Sequence, residues 1–544
     1  MRRASPAPRF RGPFRISLCA FLTLGVSTGL ITGGWSLRAA AQDPGGIRFS
    51  FGVNQRFEAD TNQRLQTESP GASYSSTTRF SFGLRSETRN QSLRLGADLP
   101  LRLFSIPGDS RRFATDTPDL NFTYNRVAAQ SDLLITGSSR RDDLRFFRPI
   151  DAIVDILDPT DPVDPLDPVD PLPDPDDPTL PDIDPVEPTD PLPPGLDELP
   201  DDEELDDVDL IDGRGTRQLI QLGSRLRVGL GGPVTTTFNL NLRELRYSGD
   251  ANPALNDTRR LTFGTVTTLR LTPVTEGTVD LLAERFERDD AAEFRRDTRR
   301  IGFGIRHELT QTLTANARLG YSWIDIREFD TVRQRRGVDA GLGLDLELTR
   351  GSLSFDSRVL TTDEGRLTTA SLTRSLPMPN GALSFSASAR RNVDGTRTSF
   401  TVGRDMDLRR GPLSANVGLS RSPAGDWGTI GRVNYGETLP RGSWRVSLLQ
   451  GFSIDEANEE TRRTLATASF THIINQSSRI NLGAAYSATP DRDNARFTAT
   501  YSRDVTRDWS MNLGYRYDNR SRDDGQADSH AVFLSIGRSF NTAF

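Results

Sequence analysis

Residues that could perform acid–base or nucleophilic chemistry are few in this chain. There are three histidines, at positions 307, 472 and 530. A histidine beside an acid or a serine is the usual general base of a hydrolase. Each of these histidines, however, shares its parity with apolar neighbours, as His307 does with Phe303 and Ile305. Such positions suit a ring at a membrane interface, so we expect no catalytic site and no enzyme.

Ligands for a metal or a cofactor are equally scarce. The single cysteine, Cys19, lies in the N-terminal segment that we expect to be removed, so the mature chain has no thiol. A group of carboxylates falls on the polar parity of its segments: Asp339, Asp345, Glu347, Asp405 and Asp407. We expect them to pair with arginines on neighbouring strands rather than to form a catalytic pair. We therefore predict neither a metal ion nor a cofactor.

The most unusual spacing is an acidic one. Five aspartates recur at every third position of a proline-rich run: Asp158, Asp161, Asp164, Asp167 and Asp170. Proline at this density excludes helix and strand pairing and favours polyproline II, in which three residues per turn align these carboxylates along one edge. Between Asp151 and Asp212 there are 24 acidic residues and no arginine or lysine. We expect a disordered loop over residues 149–213, and a cation-binding or partner-binding role for the five aspartates stays open.

Many arginines lie on the polar face of predicted β-strands. From the C-terminus backward, apolar and polar residues alternate with period 2, the pattern of β-strands. In one such segment Trp509, Leu513 and Tyr517 alternate with Asn512 and Arg516. The apolar set contains few large branched residues and has aromatic residues near the strand ends, which indicates lipid on one face and water on the other. Six arginines of the polar set are predicted to line a lumen: Arg243, Arg318, Arg445, Arg479, Arg496 and Arg516.

The N-terminus indicates export. Several arginines precede a mainly apolar run from Ile16 to Trp35, and three alanines before Gln42 give a small-residue cleavage pattern. These features are typical of a secretory signal peptide, here residues 1–41. After Gln42 no apolar run approaches the ~18 residues that a spanning helix needs. A mature chain that crosses a membrane must therefore cross it with strands.

Counting these segments predicts an all-β fold, a large transmembrane antiparallel barrel of about 24 strands, within a range of about 20 to 26, each of ~10 residues. The first strands would lie in residues 42–148 and the others in residues 214–544, with the acidic segment between them. Short connections alternate with longer ones, and we expect longer loops at Asp455 to Arg462, Thr489 to Asn494 and Asn519 to Asp528. An even strand number returns both ends of the chain to the periplasm.

Large aromatic residues lie near the predicted strand ends. Trp323, Trp444, Trp509 and Tyr517 all fall in the apolar phase. This placement is typical of the aromatic girdles at membrane interfaces and does not suggest a platform for stacking nucleobases. We expect no nucleic-acid partner.

The last strand resembles the C-terminal assembly signal of bacterial outer-membrane β-barrel proteins. The residues that carry the resemblance share one parity: Val532, Leu534, Ile536, Phe540 and the terminal Phe544. Arg538 departs from the pattern because it interrupts the apolar face. The resemblance is porin-like and identifies no subfamily. It implies a place in the cell outer membrane, contact with outer-membrane lipid, and recognition of the last strand by the barrel-assembly machinery.

Three functions remain open from the sequence. A passive diffusion channel for small solutes or ions is favoured because Ile47, Phe49 and Phe51 already alternate just after the signal segment, which leaves no room for a preceding plug. An export channel, for example for surface polysaccharide, is the second. A structural or adhesive surface protein that uses the acidic segment is the third. The sequence indicates neither a solute nor an oligomeric state.

Overall fold

The computed structural model describes residues 46–109, 112–115, 118–146, 215–249, 251–329, 331–393, 395–454, 460–522 and 525–543. The predicted signal peptide, the acidic segment with its five regularly spaced aspartates, and Phe544 lie outside these residues. Among the residues described, no helix is long and apolar enough to cross a membrane.

The described chain forms strands throughout. In chain order they are β1 (Ile47–Asp60), β2 (Ser73–Thr88), β3 (Gln91–Ser105), β4 (Phe113–Thr115), β5 (Asp119–Ala128), β6 (Ser131–Asp143), β7 (Thr216–Val228), β8 (Val234–Ser248), β9 (Asp257–Thr272), β10 (Thr275–Asp289), β11 (Arg295–Thr310), β12 (Leu313–Glu328), β13 (Thr331–Leu348), β14 (Gly351–Thr361), β15 (Arg366–Met378), β16 (Gly381–Arg391), β17 (Thr396–Leu408), β18 (Gly411–Arg421), β19 (Trp427–Leu439), β20 (Gly442–Ile454), β21 (Glu460–Asn475), β22 (Ser478–Thr489), β23 (Arg492–Asp504), β24 (Trp509–Arg522) and β25 (Gly525–Ala543).

These strands close into an antiparallel barrel. Each strand pairs with the next along the chain, except that β3 pairs mainly with β5, and the ring closes where β25 pairs with β1. The three-residue β4 pairs with the end of β3 that β5 does not reach. The ring therefore has 24 strands with one short extra strand, which confirms the predicted fold class and strand number.

The two ends of the barrel differ. At one, the turn end, strands are joined by tight connections such as Pro379–Asn380, where Asn380 adopts a left-handed φ of 61° that asparagine tolerates. At the other, the loop end, the connections include residues 61–72, residues 249–256 and the segment between β6 and β7. Because β6 runs toward the loop end and β7 runs away from it, the acidic segment is attached there.

Two of the predicted longer loops are wrong. Strand pairing continues to Thr489↔Arg492 and to Arg522↔Gly525, so the strands there are joined by two residues. The polar composition of these stretches predicted loops. Outside the membrane, however, polar side chains on both faces do not prevent the backbone of two strands from pairing. Apart from β4, the strands contain 10 to 19 residues, so most exceed the expected ~10 and extend beyond the membrane.

The apolar residues of the alternating pattern lie on the outward face of the barrel. Phe51 of β1 lies 5.1 Å from Phe82 of β2 and 5.9 Å from Phe540 of β25, ring centre to ring centre. Many large apolar side chains on this face are more than a third exposed, among them Leu319, Phe303 and Val532. A closed barrel leaves no unpaired strand edge, so such a face can meet hydrocarbon directly.

Candidate functional site

The candidate site is the inner wall of the barrel. Arg296 of β11 reaches Asp363, in the connection after β14, at 2.6 Å. Side chains three strands apart can meet only on the concave, inner side of the sheet, so Arg296 points inward. The strand register then gives the inward positions of the other strands. The six arginines predicted from the sequence fall on inward positions: Arg243, Arg318, Arg445, Arg479, Arg496 and Arg516. That they line an open water path remains a prediction.

Two of these arginines meet in an ion-pair network at the junction of the first and last strands. Arg516 of β24 lies 2.7 Å from Glu58 and 3.3 Å from Asp60, both on β1. To do so it crosses β25 at Ala531, which is fully buried and pairs with both Arg516 and Asp60. Asp518 accepts a hydrogen bond from Arg496 of β23 at 2.6 Å and forms an ion pair with Arg516 at 3.0 Å. The network thus links β23, β24 and β1 across the closing strand.

The same arrangement recurs on the opposite wall. Arg300 of β11 lies 3.0 Å from Asp339 of β13, and the hydroxyl of Ser322 on the intervening β12 is bonded to both. Ser322 has no exposed surface. Likewise Arg318 of β12 pairs with Asp280 of β10 across Gly302 of β11. A side chain at Gly302 would collide with the carboxylate of Asp280, so the pair depends on glycine there.

Loops at the loop end fold inward and are joined by charge. Asp109 accepts from Arg64 at 3.4 Å and from Arg145 at 3.3 Å, which ties the connection after β1 to the residues after β6. Arg145 also bonds to Asp143. The hydrogen bond to Asp143 is the largest effect on the pKa of Arg145 and raises it above its ordinary value. Burial alone would lower that pKa. Phe146, the last residue before the acidic segment that the structure describes, stands edge-on to Phe104 at 5.4 Å.

Apolar side chains fill the space between these loops. Leu144 and Leu255 form a small buried cluster with Tyr247 and Ala251. Every buried apolar side chain of the described residues lies in the loop-end half of the barrel, in a set that we call the loop-end layer: Leu65, Phe104, Ile106, Leu144, Leu245, Leu255, Phe286, Ile324, Ile326, Leu367, Leu465, Ala527 and Ala531. The inner wall of the middle and of the turn end has no comparable packing among these residues.

The candidates for acid–base chemistry remain dispersed. His307, His472 and His530 lie on outward positions, where His307 contacts Thr275 and His530 contacts Tyr515, each at 2.8 Å. In the part of the chain that the structure describes, no group of three or more His, Cys, Asp or Glu residues could hold a metal ion.

The predicted pairing of inward carboxylates holds for one of five. Asp339 pairs with Arg300, whereas four others have no arginine within ion-pair distance among the described residues: Asp345, Glu347, Asp405 and Asp407. These four lie near the turn end of β13 and β17. Pairing therefore concentrates at the loop end, where acids and arginines of alternate strands face each other over small residues.

Sequence reasoning missed the loop-end layer and the bridges that skip a strand. Signals for both exist in the chain. Large apolar residues, such as Leu144 and Leu255, stand next to polar and charged residues in the connections. Small residues such as Ala531 and Gly302 occupy inward positions, and the strands on either side carry charged residues at inward positions.

Comparison with known proteins gives a likeness of fold. No protein-family model matches the chain, and no curated protein matches it. The chain is similar in structure to the siderophore receptor PirA from Pseudomonas aeruginosa, at 9% identity over 92% of this chain and 81% of that one, with a TM-score of 0.43. It is also similar to the FrpB iron transporter from Neisseria meningitidis, at 8% identity over 90% and 81%, with a TM-score of 0.46. At this identity the likeness concerns the barrel and not a solute.

The closed ring, the apolar outward face and the polar inward face together determine the class of the protein. Each of the 24 strands of this ring pairs with a neighbour on both sides, and hydrocarbon-compatible side chains face outward. The chain is an outer-membrane β-barrel of the bacterial type.

Proposed function

We propose that the barrel is a channel through which small polar solutes cross the outer membrane. The observation that carries this proposal is the one-sided placement of buried apolar side chains, all of which lie in the loop-end half. A barrel of 24 strands is too wide for its own side chains to fill. The polar inner wall at mid-height and at the turn end therefore favours water over a packed core.

The loop-end layer is the narrowest part of this path in the proposal. The Leu144–Leu255 cluster and the Arg64–Asp109–Arg145 contacts hold several loops inward at one mouth. A channel with one constriction has a conductance set mainly by that constriction. Solute size would then be selected at the loop end.

Conductance in planar bilayers tests the proposal. Purified barrel should give stepwise openings, and Leu144→Ser should enlarge the steps because it loosens the cluster at the constriction. Leu240→Ser is the matched control, since Leu240 is an outward, partly exposed leucine of β8. Folded protein that conducts no ions would contradict the channel, and equal steps in the wild type and Leu144→Ser would place the constriction elsewhere.

A second measurement separates an open channel from a receptor. One of the similar structures is described as a ferric enterobactin receptor in complex with enterobactin. Proteoliposomes should release a small sugar down its gradient, and ferric enterobactin should not block that release. Saturable block would show that the lumen holds a dedicated ligand site, and the diffusion channel would be wrong.

A further inference from the structure

The outer face of β11, β12 and β13 carries a row of three side chains with no acidic partner. Arg299, Trp323 and Arg336 are direct neighbours in the register of these strands. All three are exposed. We call them the Arg–Trp row. Neighbouring strands are ~4.8 Å apart, so the two arginines flank the indole at ~10 Å from each other.

The hydrogen-bonding capacity of the row is largely unused. Among the residues that the structure describes, none accepts a hydrogen bond from Arg299 or from the indole Nε1 of Trp323, and Arg336 donates only to the amide oxygen of Gln334, at 3.1 Å. The nearby carboxylate of Asp297 is already taken by Arg285 at 2.7 Å and Arg295 at 3.0 Å. Two arginines and an indole N–H therefore face outward without an acid.

The surroundings of the row are those of a membrane interface. Two residues closer to the turn end, the next outward row is Ile301, Tyr321 and Val338, and the ring of Tyr321 packs 4.7 Å from that of Trp323. The following outward row begins with Phe303 and Leu319, each more than half exposed. Successive outward rows are ~6.8 Å apart. The arginines thus stand one row above the apolar belt, at the depth of lipid headgroups.

We propose that the Arg–Trp row binds the phosphate-bearing headgroup of a lipid in the leaflet at the loop end. Guanidinium groups form paired hydrogen bonds with phosphate oxygens. Trp323 supplies a further donor and a surface for the glycerol or sugar, while the rows below receive the acyl chains. We infer that the ligand is a lipid because the hydrogen-bond donors of the Arg–Trp row point away from the lumen and lie next to an apolar surface.

Native mass spectrometry of the detergent-solubilised barrel tests this site. The probes are a bisphosphorylated glucosamine lipid and, for comparison, a diacylglycerol, which has no phosphate and should not remain bound. We expect the phosphorylated lipid to remain bound and Arg299→Gln/Arg336→Gln to weaken its binding roughly tenfold or more, since each basic residue near a charged headgroup contributes measurably. Arg299→Lys/Arg336→Lys should retain part of the binding.

The matched control removes two outward arginines at the other end. Arg374 and Arg404 donate to the backbone carbonyls of Arg350 and Pro379, at 2.6 and 3.2 Å. Arg374→Gln/Arg404→Gln should bind the phosphorylated lipid as the wild type does. An equal loss in this control, or unchanged binding in Arg299→Gln/Arg336→Gln, would overturn the proposal. Displacement of the lipid by an equal concentration of inorganic phosphate would also overturn it, because the site would then be a general anion site.

Discussion

At the scale of single residues, small side chains on the inner wall determine where the arginines reach. Ala531, Ser322 and Gly302 each lie between an arginine on one strand and an acid two strands away. A larger residue at these positions would fill the space that the guanidinium crosses. The small residue and the ion pair therefore form one unit, although they belong to three strands.

Replacement of Arg516 should destabilise the barrel more than replacement of any unpaired inner arginine. Arg516→Met leaves Glu58, Asp60 and Asp518 close together without the cation that bridges them. Removal of one partner from a buried charge cluster typically costs roughly 3–5 kcal/mol. The measurement is the urea midpoint of unfolding in micelles, read from the gel mobility of unboiled samples.

Arg479→Met is the control for this prediction. Arg479 is also an inward arginine, but the structure gives it no acidic partner among the residues it describes. Its replacement should move the midpoint little. Equal shifts in the two variants would mean that the network across the closing strand contributes nothing beyond the loss of one charge.

At the scale of elements, the connections at the loop end are held by their own hydrogen bonds. Asp290, between β10 and β11, accepts from Arg288 Nε at 2.7 Å and from the amides of Ala292 and Phe294 at 3.0 and 3.2 Å. Burial alone would raise the pKa of Asp290, but these bonds outweigh it and leave the pKa below its ordinary value. The carboxylate therefore orders this connection while it is ionised.

Acid should loosen this connection. Because the pKa of Asp290 is lower in the folded chain than in the unfolded one, its stabilisation is complete above the ordinary carboxyl range and is lost as the pH falls through the folded value. Hydrogen exchange of residues 290–294, corrected for intrinsic rates, should show protection at pH ~7 that decreases as the pH falls below the ordinary carboxyl range. Asp290→Asn should abolish this pH dependence, whereas Asp289→Asn, at an exposed neighbour, should keep it. A pH dependence that persists in Asp290→Asn would contradict the assignment.

The elements show what the sequence could predict and what it could not. Alternation alone predicts β24, because Trp509, Leu513 and Tyr517 share one parity and the outward face. It fails at Thr489 and Arg522, since the residues there are polar on both faces above the membrane and only backbone pairing shows that they are strand. The bridge from Arg516 to Glu58 depends on a register between residues far apart in the chain, which no local pattern contains.

At the scale of the whole molecule, the strand directions determine which side of the membrane carries each connection. The acidic segment is attached at the loop end, between Asp143 and Thr216. If the chain ends lie in the periplasm, as the sequence predicts, that segment is outside the cell. It contains no arginine or lysine from Asp151 to Asp212 but has glutamates that a glutamate-specific protease can cut.

Glutamate-specific protease added to intact cells should therefore split the chain within residues 149–213. The two halves should stay together as a folded barrel until boiled. A cleavage site inserted at the Thr349–Arg350 connection of the turn end should be cut only after the outer membrane is permeabilised. The opposite pattern would invert the predicted orientation.

Pairing of β1 with β25 joins residues from nearly opposite ends of the sequence, such as Arg48 with Ala543. Logarithmic scaling of loop-closure entropy puts the cost of bringing such distant segments together at about 5–6 kcal/mol. Two unpaired strand edges cannot be solvated by hydrocarbon, so a partly assembled ring has no stable place in the bilayer. Insertion should consequently be all-or-none and late, after synthesis of the final strand. A chain cut short before β25 would then yield not a smaller channel but an unassembled polypeptide.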